Sequence, residues 1–161
     1  MAHTYVKITG KDQKDFKGES SRKGRTDWLE ASVQFKSEFL VDPNTGKPKG
    51  AIERGPVLFT KEEGAATTNI LQALHRQESI DKIVIEKVAR GEDGKSEVVV
   101  SRITLEGGYI ASYNAYPSNT DTDRRADPRH MEEFAISSRK FTFEHVLAKN
   151  ATSVDWNEPN A

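Results

Sequence analysis

The chain of 161 residues contains no cysteine. Disulfides, thiolate nucleophiles and cysteine-based zinc sites are therefore excluded. It has almost no charge imbalance: 24 Lys and Arg stand against 25 Asp and Glu, a formal net charge of -1. A nucleic-acid-binding domain needs a basic footprint, so nucleic acid is not an expected partner. The same balance argues against a polybasic membrane anchor. Long apolar runs are also missing, and no stretch approaches the roughly 18 residues that cross a bilayer as a helix. The opening string Met1-Ala2-His3-Thr4-Tyr5-Val6-Lys7-Ile8 alternates instead of running apolar, so it does not read as a signal peptide. Charged residues make up 30% and hydrophobic residues 35%. One soluble domain over residues 1–161 is the expectation, and a chain of this size buries roughly two-thirds of its unfolded surface in a single core.

What is present is mostly a period of two, the mark of half-buried strands. Tyr5, Val6 and Ile8 open a short strand. Leu29, Ala31, Val33 and Phe35 alternate with Glu30, Ser32, Gln34 and Lys36, giving one apolar and one polar face. Ile83 and Ile85 lie in a strand whose neighbours, Val84 and Val88, predict cover on both sides. Gly91-Glu92-Asp93-Gly94 reads as a hairpin turn, because Asp-Gly supplies the positive φ such turns need. Residues 98–105 return as the partner strand. Gly107-Gly108 then marks a bend or bulge, and residues 109–116 read as another strand. Further on, Phe134 and Ile136 sit at even positions and Phe141 and Phe143 at odd ones. That switch predicts a bulge near Ser138-Arg139, or two strands meeting at a corner.

One segment alone has helical spacing. Ile70, Leu71 and Leu74 share a face beside Ala73, with Thr67 or Thr68 as the expected N-cap and an end near Arg76-Gln77. A single short helix among many strands suggests a β-barrel or sandwich with a flanking helix. Asp42-Pro43-Asn44-Thr45-Gly46-Lys47-Pro48-Lys49-Gly50 is dense in turn residues and, with its flank to Gly55-Pro56, makes a long loop. Residues 117–128 read as a second, solvated loop.

No string carries catalytic chemistry. His3, His75, His130 and His145 lack metal-ligand spacing. Asp121, Asp123 and Asp127 lack the glycine and terminal Glu of a calcium loop, and Arg124, Arg125 and Arg129 oppose a cation. Gly107-Gly108 precedes no helix or Lys-Ser/Thr pair, so it is not a phosphate loop. Ser20-Ser21 and Ser137-Ser138 lack the setting of a nucleophile elbow. Asn150-Ala151-Thr152 matches a glycosylation sequon by chance. The expectation is a protein that is not an enzyme, with no catalytic residue, metal or cofactor. The charge-rich runs at 11–17, 22–25 and 61–63 read as solvated edges that discourage stray strand pairing, or as charges that set register in an oligomer.

An ordered set of strings resembles the haemolysin-coregulated protein (Hcp) family, the tube subunits of bacterial type VI secretion systems. They are Lys17-Gly18-Glu19-Ser20, Trp28-Leu29-Glu30, Asn44-Thr45-Gly46-Lys47, Phe59-Thr60-Lys61, the helix at 67–76, Met131-Glu132-Glu133-Phe134 through Phe141-Thr142-Phe143, and Asp155-Trp156-Asn157. The resemblance covers nearly the whole chain. Asn69, Gln77, Ser138 and His145 depart from it, standing where the family favours a proline, a glycine and aromatics. It implies a mainly β fold, a compact two-sheet β-barrel with one flanking α-helix and an extended protruding loop. It further implies homohexameric rings that stack into a tube. That tube would be secreted with its spike protein by a contractile sheath, carrying small effectors. Such a chain would wait in the cytoplasm and then leave for the medium or a target cell without a signal peptide.

Two surfaces follow as expectations. The loop of Asp42, Pro43, Asn44, Thr45, Gly46, Lys47, Pro48, Lys49 and Gly50 is a natural arm toward an adjacent subunit, and its prolines lower the entropy lost on docking. The polar strand face of Glu30, Ser32, Gln34 and Lys36 would line the lumen; an ordinary solvent face on a monomer fits those residues equally well. The competing readings are a tail-tube protein of a contractile phage or phage-like particle, a monomeric ligand-binding β-barrel, and an enzyme with a dispersed site.

Overall fold

A computed structural model describes residues 3–118 and 129–155, with side chains throughout except at positions 38, 39 and 50–54. The strands are β1 (His3–Gly10), β2 (Lys14–Asp15), β3 (Leu29–Glu30), β4 (Ser32–Gln34), β5 (Ser37–Val41), β6 (Pro48–Arg54) and β7 (Val57–Glu62). The helix α1 (Thr67–His75) follows, and then β8 (Ile80–Arg90), β9 (Glu97–Pro117), β10 (His130–His145) and β11 (Asn150–Asp155). Nine strands form one antiparallel sheet in the order β2-β1-β8-β9-β10-β7-β4, with β3 added to β1 and β11 to β10. The hairpin β5–β6 is a separate two-stranded sheet. The fold is thus mainly β, with one large sheet, one small one and one short helix. The second half of the expected two-sheet barrel is only this hairpin.

The period-two reading holds for β1, whose Val6 and Ile8 are fully buried. Strand β7, which the sequence marked only by the motif Phe59-Thr60-Lys61, also alternates, with Val57 and Phe59 buried. The strand read across residues 29–36 is two short strands with different partners. Leu29 and Glu30 pair with Val6 and Tyr5 of β1, whereas Ser32, Val33 and Gln34 pair with β7. Phe59 and Phe134 are directly opposed on β7 and β10, and their rings stack with centroids 5.0 Å apart. Each is wholly buried, a contribution on the order of 2–3 kcal/mol per side chain. Ile70 and Ala73 of α1 pack into the same core as Ile8, Ile83, Ile103 and Phe134.

Three expectations are corrected. Gly107-Gly108 does not separate two strands, because β9 runs unbroken through it. Gly107 takes φ +63°, and a Cβ on Gly108 would overlap the carbonyl oxygen of Ser137 on β10. Gly108 therefore permits the close approach of β9 and β10, and Gly108→Ala lowers stability by about 3 kcal/mol, the upper end of ordinary overpacking; a shift of the urea midpoint measures it. The face switch in β10 does not split it. The strand is continuous, and the register against β9 slips between Ala135 and Ile136, slightly upstream of the predicted bulge. The long loop at 42–56 is largely ordered as the β5–β6 hairpin, with a tight turn at its tip.

The helix begins at Thr67, so its N-cap lies one residue before Thr67 and two before Thr68, the two expected caps. Ala66 occupies the N-cap and offers no side-chain bond. Thr67 instead uses its hydroxyl twice, accepting from the Gly64 N–H at 3.0 Å and donating to Glu132 at 2.9 Å. At the other end the Gln77 N–H donates to Leu74 O and the Glu78 N–H to Ala73 O, the pattern that satisfies the last carbonyls of a helix. That geometry puts Gln77 at φ +52°, where a side chain is strained and glycine is not. Gln77→Gly is expected to raise stability by about 1 kcal/mol, read as a higher urea midpoint at unchanged slope.

Candidate assembly surfaces and the buried node beneath them

Four of the sequence strings converge on one point. Lys61, from Phe59-Thr60-Lys61, is only 3% exposed, and Glu132, from Met131-Glu132-Glu133-Phe134, is fully buried. Cross-strand pairing sets them opposite each other on β7 and β10, with Lys61 Nζ 2.8 Å from Glu132 Oε1. The other carboxylate oxygen of Glu132 accepts from the hydroxyls of Thr67 on α1 and Tyr113 on β9, at 2.9 and 2.8 Å. Lys61 also donates to the Glu62 carbonyl at 2.6 Å. Burial, and then the bond to the Glu132 carboxylate, raise the Tyr113 phenol above its ordinary range.

The turn Lys17-Gly18-Glu19-Ser20 joins this node from outside. Glu19 accepts from the Ala65 N–H at 2.8 Å, just before the helix, and lies 4.0 Å from Lys61 Nζ. A carboxylate there also suits the positive end of the helix. Gly18 is required because a Cβ would sit 2.6 Å from the Trp28 carbonyl oxygen. These motifs therefore lock the helix to strands β7, β9 and β10. They are structural, with every partner internal.

A second charged set crosses the sheet. Glu86 on β8, Arg102 on β9 and Glu144 on β10 are in register, with Arg102 3.1 Å from Glu86 and 3.4 Å from Glu144. Arg25 approaches Glu86 at 3.6 Å, and Arg22 approaches Glu97 at 3.5 Å. The run at 22–25, read as a solvated edge, is partly tied down by these pairs. Asp121, Asp123 and Asp127, read as part of a solvated loop and not as a calcium site, lie outside the described residues, as do Trp156 and Asn157. His145, at the end of β10, accepts from the Ala148 N–H through Nδ1 at 3.2 Å.

The two predicted surfaces both lie on the outside of the fold. In the hairpin, the Asp42 N–H donates to Lys47 O, the Gly46 N–H to Asp42 O and the Asn44 N–H to the Asp42 side chain, at 2.9, 2.8 and 2.8 Å. Gly46 supplies the positive φ, +71°. Pro43, Asn44, Thr45, Gly46, Lys47, Pro48 and Lys49 are exposed, and Asp42 is partly so. Beside them Leu40 is 66% and Val41 53% exposed, large apolar side chains on a hairpin that pairs with no strand of the main sheet. Glu30, Ser32, Gln34 and Lys36 are all exposed, while Leu29 is buried and Ala31 and Val33 are half-buried. The alternation read from sequence holds from Leu29 to Gln34, across two strands, and ends there, because Phe35 is 40% exposed beside Gln34 and Lys36.

Among the described residues, no group of three His, Asp or Glu side chains is placed to hold a metal. An apolar cleft of about 280 Å³ lies at the foot of the hairpin, lined by Phe35, Pro56, Val57, Ser138 and Phe141 among others. It is at the lower edge of the roughly 300–1,000 Å³ that small-molecule sites occupy.

Residues 5–145 match the family described as "Type VI secretion system effector, Hcp". The chain is 28% identical to the major exported protein of Pseudomonas aeruginosa, across 98% of this chain and 96% of that one. Among solved structures it is similar to an Hcp protein at a TM-score of 0.87 and 21% identity, over 97% and 98% of the two chains. It is also similar to the Hcp1 protein of E. coli at a TM-score of 0.82 and 20% identity, over 96% and 98%. At these identities the structures speak for the fold, and the family match carries the assignment. The chain belongs to the Hcp family of type VI secretion system proteins.

Proposed function

We propose that this chain is the structural subunit of a type VI inner tube. Six copies close into a ring, rings stack, and the hollow tube leaves the cell with its spike and with small effectors held inside. The observation that carries this reading is the β5–β6 hairpin. It stands apart from the main sheet and presents Leu40 and Val41 to solvent, a poor arrangement for a monomer and a good one for an arm that a neighbour covers. A ring needs a head-to-tail contact that closes, and such an arm supplies one side of it.

In this reading the main sheet is also a closed barrel. Residues 29–34 bridge its two edges, since β3 pairs with β1, β4 pairs with β7, and the Ala31 N–H between them donates to Thr4 O at 3.3 Å. Closure of this kind removes exposed sheet edges. The polar side chains of Glu30, Ser32, Gln34 and Lys36 then face the lumen, where a hydrated wall suits varied cargo. Export follows from the tube's ejection.

The absence of native cysteine makes the lumen assignment testable with single-cysteine variants. Ser32→Cys and Gln34→Cys should react with a small maleimide in assembled tubes but not with a polymer-linked maleimide too bulky for the bore. Equal reaction with both reagents would put these residues on the outer wall.

A further inference from the structure

The turn end of the β8–β9 hairpin carries a group of cations that neither the buried node nor the hairpin arm uses. A cavity of about 430 Å³ lies there, lined by His3 at the start of β1, Arg90 at the end of β8, Lys95 in the turn, Glu97 at the start of β9 and Arg22 from the loop between β2 and β3. Strand register builds it. His3 opposes Val88 and Arg90 opposes Glu97, and Arg90 lies two positions beyond Val88. All four side chains therefore share one face of the sheet. Val88 is buried beneath the others.

Charge is out of balance in this cavity. Three cations, Arg22, Arg90 and Lys95, face a single acid, Glu97. Glu97 is already shared, with Arg22 at 3.5 Å and Arg25 at 3.9 Å. Asp93, in the same turn, is bound up in it. Its Oδ1 accepts from the Lys95 N–H, the Ser96 N–H and the Ser96 hydroxyl, each at 2.9 Å. Among the described residues, Arg90 and Lys95 have no ion-pair partner.

We propose that this cavity binds a compact phosphate-type anion, the phosphate or diphosphate group of a small molecule. Arg90 is the forked donor, able to give two parallel N–H bonds to one phosphate, and Lys95 is the point charge beside it. His3 adds a ring N–H, which imidazole keeps in either protonation state. The volume lies within the roughly 300–1,000 Å³ of small-molecule sites. Glu92 and Asp93 in the turn and Glu97 on the wall select a compact ligand over an extended one. A nucleic-acid strand or an anionic bilayer would press further phosphates against these acids, on a chain whose formal net charge is -1. The site belongs to one subunit and does not depend on ring formation. Arg90 and Lys95 are exposed, so binding weakens as salt rises.

Titration calorimetry of the intact protein with inorganic pyrophosphate at low ionic strength tests this. The expected result is saturable binding of one pyrophosphate per subunit. Arg90→Ala should weaken it about tenfold, the worth of one charge-assisted hydrogen bond. Arg90→Lys should recover part of that loss, and Lys95→Ala should weaken binding several-fold from the turn. Lys82→Ala, on an exposed position of β8 outside the cavity, should leave the affinity unchanged. Circular dichroism checks that each variant keeps the fold. Absence of saturable heat would overturn the proposal. So would a loss in Lys82→Ala equal to that in Arg90→Ala, because the attraction is then general to the surface. Binding that neither Arg90→Ala nor Lys95→Ala alters would place the anion elsewhere. Citrate binding more tightly than pyrophosphate would assign the cavity to carboxylates and overturn the phosphate assignment.

Discussion

Glu132→Ala lowers the stability of the fold by about 3–5 kcal/mol, the cost of stranding a buried charge without its partner. Lys61 is 3% exposed and has Glu132 Oε1 at 2.8 Å, so removing the carboxylate leaves an ammonium group in a nearly dry site. Glu19, at 4.0 Å and half in solvent, is too distant to replace it. Thr67 and Tyr113 lose their acceptor in the same step, which frees the start of the helix from β9 and β10. Urea unfolding should show a lower midpoint. The double variant Lys61→Met with Glu132→Leu should recover part of the loss, because an apolar pair of similar volume can replace a buried ion pair. A single-variant cost below about 1 kcal/mol, the size of an exposed ion pair, would show that the node is wet and weak.

Deleting residues 44–50 abolishes assembly and spares the fold. The segment is the tip of a hairpin that pairs only with itself, and the large sheet and its core lie elsewhere. Far-ultraviolet circular dichroism and the urea midpoint of the deletion variant should stay close to those of the parent. Its solution mass should fall to that of one subunit. Rings formed by the deletion variant would remove the hairpin from the interface. Loss of folding would show that the hairpin is part of the core.

The strongest sequence signals were those tied to burial. Helix α1 was legible because Ile70, Ala73 and Leu74 bury one face, and β1 because Val6 and Ile8 enter the core. The motif strings pointed to the family, but not to why those residues are needed. Parity held that information: Lys61 follows Val57 and Phe59 at odd positions, and Glu132 precedes Phe134 and Ile136 at even ones. A lysine and a glutamate on the buried parity of two paired strands predict a buried ion pair.

Other features left no apolar trace. Strand β11 is exposed along nearly its whole length and is held by its ladder to β10, so Asn150-Ala151-Thr152-Ser153-Val154-Asp155 carries little period-two signal. Glycine usually marks a break, but in β9 it marks a close approach, and the sequence alone does not separate the two. The hairpin was read as a loop because its turn residues dominate the string. Gln77 shows the reverse case, where tertiary packing holds a left-handed residue without the glycine that local preference favours.

The most direct test of the account is the solution mass of the purified chain by light scattering, across a wide concentration range. The tube reading predicts a species of about six times the 18.0 kDa subunit mass, consistent with a closed ring. A single 18.0 kDa species at every concentration would contradict it.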